Sequence, residues 1–589
     1  MDVMQEPDSA WVKAKDVLLI AIMGILAGCG LIYQYILAHY AGRILGSLET
    51  AIYTMIGLMI VSMGAGAFFA RFIRKPFNGF VWLEIGIATV GATAILSIST
   101  AIALTSIFPL WLSHTFGLPD DITPDGGFIA QLHTISRNLP YFAGCILGFL
   151  IGMEIPLIAT VRQSLYKKNL EHNVGTLYGA DYVGAGFGAA IWVLVMLPLN
   201  INDAALITAA VNILAGAIFL FMFWKKLTRP GLILVAHGGV AVLLIFMSYV
   251  GAPWVEKMGQ LLYQDQVVYT QSTRYQQLTV TERHLKGMAN PVYNFYINGR
   301  LQFSSNDEVI YHEMLVVPAL AASARTDRIL IVGGGDGLAL KRALTYNPKQ
   351  VTLIDLDAEL IDLFTSPVEK SEKSEKPEEP SNTQYIRKVF SSLNNHAFTD
   401  KRVNVVIGDA FVEVEKLVAS QAHFDAIIVD LPDPSHPDLN KLYSTYFYNQ
   451  LSHLLSADGV LVSQSTSPYH SKEAFISIGR TIKAAGFASV EQYHANVPSF
   501  GEWGWSIATK QGAPVTERLK HLADNDPGWD IPMTWLTQEF LLGAFNFSKD
   551  YYKGNKQILI NELGSHRVYQ YHQASWVGRE GLLNISDKI

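Results

Sequence analysis

Seven apolar runs in the first 250 residues constrain this 589-residue chain more than any other feature. A bilayer span needs roughly 20 apolar residues. The runs at about 17–39, 51–72, 80–110, 139–161, 176–198, 204–224 and 231–250 each qualify as a transmembrane helix. The third is over-long and is expected to be tilted or broken. Basic residues cluster in alternate connections: Arg71, Arg74 and Lys75, then Arg162, Lys167 and Lys168, then Lys225, Lys226 and Arg229. The connection with Asp120, Asp121 and Asp125 is acidic. Cytoplasmic loops carry the basic excess, so the N-terminus reads as cytoplasmic and an odd number of spans puts the C-terminal half outside. The first run lacks a small-residue cleavage site and more spans follow it, so it reads as a span rather than a signal peptide.

Small residues recur at packing distance in these helices, at Gly144, Gly148 and Gly152 and at Gly184 and Gly188. Such rows let helix backbones approach closely. Glu154, just before Pro156, and Asp181 are less ordinary. A carboxylate within the membrane is costly and marks a transport or ligand site unless it reaches the interface at a span end.

The rest of the chain has an ordinary soluble composition. The net charge of −7 averages two unlike halves and identifies no partner. No basic cluster suggests nucleic acid. Cys29 and Cys145 both lie in apolar stretches and give neither a disulfide framework nor metal-ligand spacing.

The expected organisation is an N-terminal segment (1–16), a transmembrane domain (17–250), a β-strand subdomain (251–316), a Rossmann-like domain (317–510) and a C-terminal extension (511–589). In the subdomain, Tyr293, Phe295 and Ile297 share one strand face, and Asn298-Gly299 signals a hairpin. Strands at 328–332, 350–356, 403–407, 424–430 and 460–464 alternate with helical segments, the pattern of a doubly wound parallel sheet. A charged, proline-bearing stretch at 365–382 reads as a disordered insertion. In the extension, Trp535–Phe545 reads as an amphipathic helix capped by Thr534, while 557–563 and 569–576 are segments that could close over the domain.

Ligands of doubly wound sheets bind beyond the carboxyl ends of the strands. Polar residues stand at five successive ends: Asp336, then Asp355 and Asp357, then Asp409, then Asp430 and Asp433, then Gln464. The turn Gly333–Gly337 between strand and helix suits close approach of a nucleotide. Asp355, about 20 residues on, is placed to accept ribose hydroxyls. Leu338 occupies the position of a third dinucleotide-type glycine, so the ligand reads as an adenosine-containing sulfonium. Ordinary methyltransferases carry an acid two residues before the first glycine, and here that residue is Ile331. Asp336 inside the turn repels an amino-acid carboxylate and welcomes a bare ammonium, which favours a decarboxylated sulfonium. Asp430 and Asp433, three apart, suit a diamine. An alkyl amine titrates near about 10.4 and aspartate near about 3.9, so a carboxylate base needs its pKa raised or the amine's lowered. By composition alone, His312 reads as an ordinary core or surface histidine.

In ordered blocks from about Tyr275 to Lys510, the soluble half resembles the polyamine aminopropyltransferases, the spermidine synthases. The blocks are Arg274-Tyr275-Gln276, Asn298–Gln302, Asp307–Met314, Gly333–Gly337, Asp355-Leu356-Asp357, Gly408-Asp409-Ala410 and Asp430–Pro434 with Pro437. The resemblance implies aminopropyl transfer from decarboxylated S-adenosylmethionine to putrescine, giving spermidine and 5′-methylthioadenosine, with no metal or resident cofactor. It implies Asp430 as proton acceptor. His312, Asp336, Asp433 and Gln464 fall at the polyamine and aminopropyl positions, and Gln276, Asp355, Asp409, Ala410 and Pro437 at the thioadenosine positions. The sequence departs from the family at Asp355, where glutamate is usual, and at Ala410, where some members carry glycine. It also carries Phe500 near a position where many members have an amine-binding tyrosine, with Glu502 able to compensate. The membrane half resembles the multi-span region of some bacterial members.

The alternatives are transfer to another di- or polyamine, a methyltransferase-fold enzyme acting on another amine, and a polyamine transporter or sensor with a binding-only soluble domain. The expected location is the inner membrane, with lipid around the apolar half. The donor is cytosolic, so the catalytic half is expected inside despite the charge bias. Family habit suggests a homo-oligomer.

Overall fold

The computed structural model describes residues 10–45, 48–116, 127–166, 173–197, 199–261, 263, 265–285, 290–366, 381–525, 533–553 and 555–577. Asp120, Asp121, Asp125, Lys167, Lys168, nearly all of the 365–382 insertion and Met1–Ser9 lie outside them. The chain forms two units, Met1–Gln264 and Asp265–Ile589.

The first unit is all helical: α1 (Ala10–Leu45), α2 (Leu48–Phe69), α3 (Pro76–Phe116), α4 (Gly127–Gly152), α5 (Glu154–Tyr166), α6 (Asn173–Ile191), α7 (Ile201–Met222) and α8 (Pro230–Gln260). Among the described residues, seven segments are long and apolar enough to cross a membrane, α4 and α5 together making one of them. The over-long α3 is continuous through Pro109, and α8 runs past the expected end at 250. The glycine rows lie at helix contacts. A Cβ on Gly148 or Gly152 would strike the Met59 or Met63 carbonyl of α2, and one on Gly184 or Gly188 the Gly24 or Gly28 carbonyl of α1. Glu154 follows the break between α4 and α5 and is fully enclosed, with no hydrogen-bond partner for either carboxylate oxygen among the described residues. Asp181, by contrast, is only half-buried. A second enclosed acid, Glu84 of α3, accepts a 3.0 Å hydrogen bond from Asn212 Nδ2 of α7.

The second unit opens with an antiparallel sheet of β1 (Gln266–Ser272), β2 (Gln277–Arg283), β3 (Val292–Ile297) and β4 (Arg300–Ser304). Asn298 and Gly299 take φ of 50° and 76° and close the β3–β4 hairpin, as their types favour. Next come α9 (Glu308–Ala322), β5 (Arg328–Gly333), α10 (Leu338–Leu344), β6 (Gln350–Asp355), α11 (Ala358–Phe364), α12 (Ser381–Leu393) and β7 (Val403–Ile407). They are followed by α13 (Ala410–Ala419), β8 (Phe424–Asp430), α14 (Thr445–Leu454), β9 (Leu455–Gln464), α15 (Lys472–Ala484), β10 (Ser489–Val497) and β11 (Gly501–Thr509). The extension carries α16 (Val515–Asn525), α17 (Gln538–Gly543) and α18 (Arg567–Val577).

The main sheet runs β10-β11-β9-β8-β5-β6-β7. Its five central and distal strands are parallel, as expected, and β10 and β11 add an antiparallel edge that the sequence pattern did not announce. Successive strand residues point to opposite faces. Ile329 and Ile331 join a core with α9, α10 and α16, while Leu330 and Val332 join one with α13, α14 and α15. The small sheet buries Leu278, Val280, Phe295 and Phe303 against Leu338, Leu360, Phe364 and Phe390. β5 lies between β6 and β8, so the order reverses there and opens a crevice at the strand ends.

The expected helix at Trp535–Phe545 is shorter and starts later. Glu313 of α9, fully buried, accepts the backbone N–H groups of Thr534, Trp535 and Leu536 at 2.7–2.9 Å. Those amides are held by a side chain, and Thr537 caps the helix that begins at Gln538. The segment 557–563 forms no strand, and 569–576 lies within α18.

Candidate active site

The site forms around the ends of β5 and β8. Gly333 has φ of 83°, and a Cβ there would collide with the Asp430 carbonyl. Glycine is therefore required where β5 passes the end of β8. The Gly334 N–H then donates to that carbonyl at 3.1 Å. Gly335 makes room in the same way for Asp355, whose Oδ2 accepts its N–H at 3.1 Å.

One ring nitrogen of His312, one oxygen of Asp336 and one of Asp430 lie within 4.8 Å of one another. Three separate segments thus meet: α9 supplies His312, the glycine turn Asp336 and the end of β8 Asp430. His312 is buried, and its Nδ1 lies 2.8 Å from the Glu308 carbonyl and 3.1 Å from Glu308 Oε2. Burial favours neutral imidazole, but the Glu308 bond and the charges of Asp336 and Asp430 win, so the His312 pKa is raised. Burial also opposes ionisation of Glu308, yet His312 and Lys341 bring it down to about 2. Lys341 Nζ stands 3.2 Å from Glu308 Oε1.

Burial dominates the three acids facing the crevice. It pushes Asp430 up to about 6, reinforced by Asp336 and opposed by His312 and by a hydrogen bond from Tyr311. It raises Asp355 to about 6, against two backbone N–H bonds. Asp336 is raised by burial too, and its Oδ1 accepts the Leu338 N–H at 2.9 Å. Two further acids at the strand ends hold helix starts: Asp357 accepts from Glu359 N and Asp409 from Phe411 N. Each cap contributes about 1 kcal/mol, so a structural duty accompanies any chemical one.

The remaining predicted residues have identifiable partners. Gln276 Nε2 donates to Asp357 Oδ2 at 2.9 Å, beside Asp355. Asp409 Oδ2 pairs with Lys441 Nζ at 2.6 Å; Lys441 belongs to the 3-10 turn that starts at Pro437. Ala410 begins α13 and is buried. Gln464 is enclosed and fully engaged. Its Nε2 donates to the Leu431 carbonyl at 2.8 Å and to Tyr443 Oη at 2.6 Å, and its Oε1 accepts the Thr466 N–H. These bonds brace the Asp430–Asp433 turn. Glu502 pairs with His494, so it is not held ready to replace a tyrosine hydroxyl at Phe500.

Two neighbours escaped the sequence reading. Tyr311 Oη donates to Asp430 Oδ1 at 2.9 Å, its ring packed against His312, Phe500 and Trp505. Its adjacency to His312 was visible, but its direction was not. His572 of α18 reaches Asp433, with Nε2 3.3 Å from Oδ2.

Residues 308–521 match the family model described as spermine/spermidine synthase domain. The chain is 54% identical to a polyamine aminopropyltransferase of Shewanella oneidensis, over 96% of both chains. The chain belongs to the polyamine aminopropyltransferase family. The coverage takes in both units, the apolar helices included. A polyamine aminopropyltransferase of Streptomyces coelicolor is 32% identical over 96% of this chain and 95% of its own. A solved spermidine synthase in complex with the transition state analogue AdoDATO matches 48% of this chain and 85% of that one, at 22% identity and a TM-score of 0.39.

Proposed function

We propose that this aminopropyltransferase moves the aminopropyl group of decarboxylated S-adenosylmethionine onto putrescine, releasing spermidine and 5′-methylthioadenosine. The meeting of His312, Asp336 and Asp430, with Tyr311 on Asp430, carries the reading.

Asp430 accepts a proton from the putrescine ammonium. The freed nitrogen lone pair attacks the aminopropyl carbon next to sulfur. The carbon–sulfur bond breaks, and its electron pair turns the sulfonium into the neutral thioether of methylthioadenosine. The sulfonium is already activated, so the protein chiefly aligns the amine and takes its proton. With Asp430 at about 6, the gap to an alkyl amine narrows to about four units. Desolvation of the bound amine closes more of it.

Asp336 faces the donor's aminopropyl ammonium, and Asp433 holds the acceptor. Gln276, Asp355, Asp409, Ala410 and Pro437 border the thioadenosine position, and Gln464 acts through the turn it braces. The step as written calls on no metal ion, because the sulfonium is already an activated leaving group. Phe500 beside Tyr311 supports a second acceptor reading, a longer di- or polyamine.

The apolar unit is proposed to anchor the enzyme in the inner membrane with the catalytic unit on the cytosolic side. A C-terminal reporter that is active only outside tests that orientation. The activity test incubates detergent-solubilised full-length protein with decarboxylated S-adenosylmethionine and putrescine, cadaverine or spermidine. Methylthioadenosine formation with putrescine, lost in Asp430→Asn, is expected. Amine binding without any methylthioadenosine would turn the reading toward a sensor.

A further inference from the structure

The matched family domain ends at residue 521, yet one side chain beyond it enters the acceptor side of the site. Asn561 ties the extension to the 3-10 turn Pro437–Tyr443. Its Nδ2 donates to the carbonyls of Asn440 and Tyr443 at 2.9 and 3.1 Å, and its Oδ1 accepts Arg567 N–H at 2.9 Å. The Tyr569 N–H donates to Asn440 Oδ1, and Ser575 bonds Ser471. Val568 is fully buried in the core that contains Leu431, Leu442 and Tyr443. Val568, His572 and Ser575 are four and three residues apart, one face of a helix. The face that anchors α18 therefore also carries His572 inward.

His572 is 2% exposed and stands 3.3 Å from Asp433 Oδ2. The other oxygen, Asp433 Oδ1, is buried and has no hydrogen-bond partner among the described residues. A carboxylate free to rotate would lose that freedom when it binds a cation. A carboxylate already held by one oxygen presents the second in a fixed direction.

We infer that His572 is a positioning residue for the acceptor amine, acting through Asp433, and that the C-terminal extension is part of the acceptor site. This inference rests on the proposed aminopropyl transfer for the class of acceptor, a diamine. The imidazole N–H holds Asp433 Oδ2, so that Oδ1 receives an ammonium of the diamine. The hydrogen bonds described for α18 run to Asn440, Asp433 and Ser471, on the acceptor side of the strand ends.

The test uses full-length protein in detergent, with His572→Ala, His572→Gln, Asp433→Asn and the double variant His572→Ala/Asp433→Asn. Initial rates give KM for putrescine and for the donor, calorimetry gives putrescine binding without turnover, and thermal unfolding reports folding. A hydrogen bond to a charged group is lost in His572→Ala, so the putrescine KM and Kd should rise about tenfold. The donor KM should stay within about twofold. Gln places an N–H near the Nε2 position and should recover most of the loss. In the Asp433→Asn background, His572→Ala should add little. If His572→Ala fails to fold, His572→Gln against Asp433→Asn carries the comparison. An unchanged putrescine KM in a folded, active variant overturns the inference while aminopropyl transfer stands. So do equal effects on both substrates, or full additivity with Asp433→Asn. Wild-type protein that neither binds nor turns over putrescine overturns the proposed function, and this inference with it.

Discussion

Tyr311→Phe removes one hydroxyl and leaves the ring against His312, Phe500 and Trp505. The lost contact is the 2.9 Å bond that the hydroxyl donates to Asp430 Oδ1. That bond favours the ionised carboxylate, and burial has already pushed Asp430 up to about 6. A hydrogen bond to a charged group is worth about 1.5–3 kcal/mol, and one pKa unit is about 1.4 kcal/mol. With partial compensation in the crevice, Asp430 should rise by roughly one unit, to about 7. The general base must be ionised, so the acid limb of log kcat/KM should move to higher pH by about one unit. At pH 6.5 the ionised fraction falls by about threefold. Near pH 9 both enzymes are ionised and the variant's base is stronger, so the rates converge. The assay is methylthioadenosine formation from pH 5 to 9.5 at constant ionic strength. His312 titrates in the same cluster, so the limb reports the group as a whole. An acid limb that stays put or moves to lower pH would refute the reasoning, as would a rate loss equal at every pH.

Three further outcomes follow from the same geometry. Asp430→Asn should abolish turnover and raise the unfolding midpoint above about pH 7. The folded carboxylate titrates above its unfolded value near 3.9, so its ionisation costs folded-state stability as pH rises through about 6, by up to about 3 kcal/mol; a lower midpoint at pH 8 contradicts this. Glu313→Ala strands Arg342, 3.0 Å away, and frees three backbone amides, so it should cost about 3–5 kcal/mol in thermal or urea unfolding; a loss under 1 kcal/mol would show that the clamp is dispensable. Overnight dialysis against a chelator should leave the initial rate unchanged, and a loss restored by a divalent cation would overturn the metal-independent scheme.

Much of the site was legible because buried parallel strands read as apolar runs, and a carboxylate at the end of such a run is conspicuous. Asp336, Asp355, Asp409 and Asp430 stood out for that reason. What those acids touch was not legible. Tyr311 and Asp430 are 119 positions apart, and their meeting depends on how α9 packs over β8. Gln464 was visible as a polar strand end, but its role depends on Leu431, Tyr443 and Thr466 arriving from other segments. The edge strands β10 and β11 were missed because Ser489–Val497 is mostly half-buried and mixed in character. The helix at 535 was misjudged because Glu313, more than 200 residues earlier, claims its first amides. In the membrane unit, Glu154 was found by composition, whereas Glu84 sits in a run apolar enough to hide it.

The close approach of α1 and α6 has a mechanical consequence. At Gly184 and Gly188 the facing backbone of α1 leaves no room for a Cβ, and at Gly24 and Gly28 the room is tight. Sliding one helix along the other by a residue would bring a side chain against a carbonyl at every glycine of the row. Sliding along this seam is therefore sterically opposed. The break at Met153 between α4 and α5, by contrast, divides one apolar segment into two levers that can tilt independently of that seam.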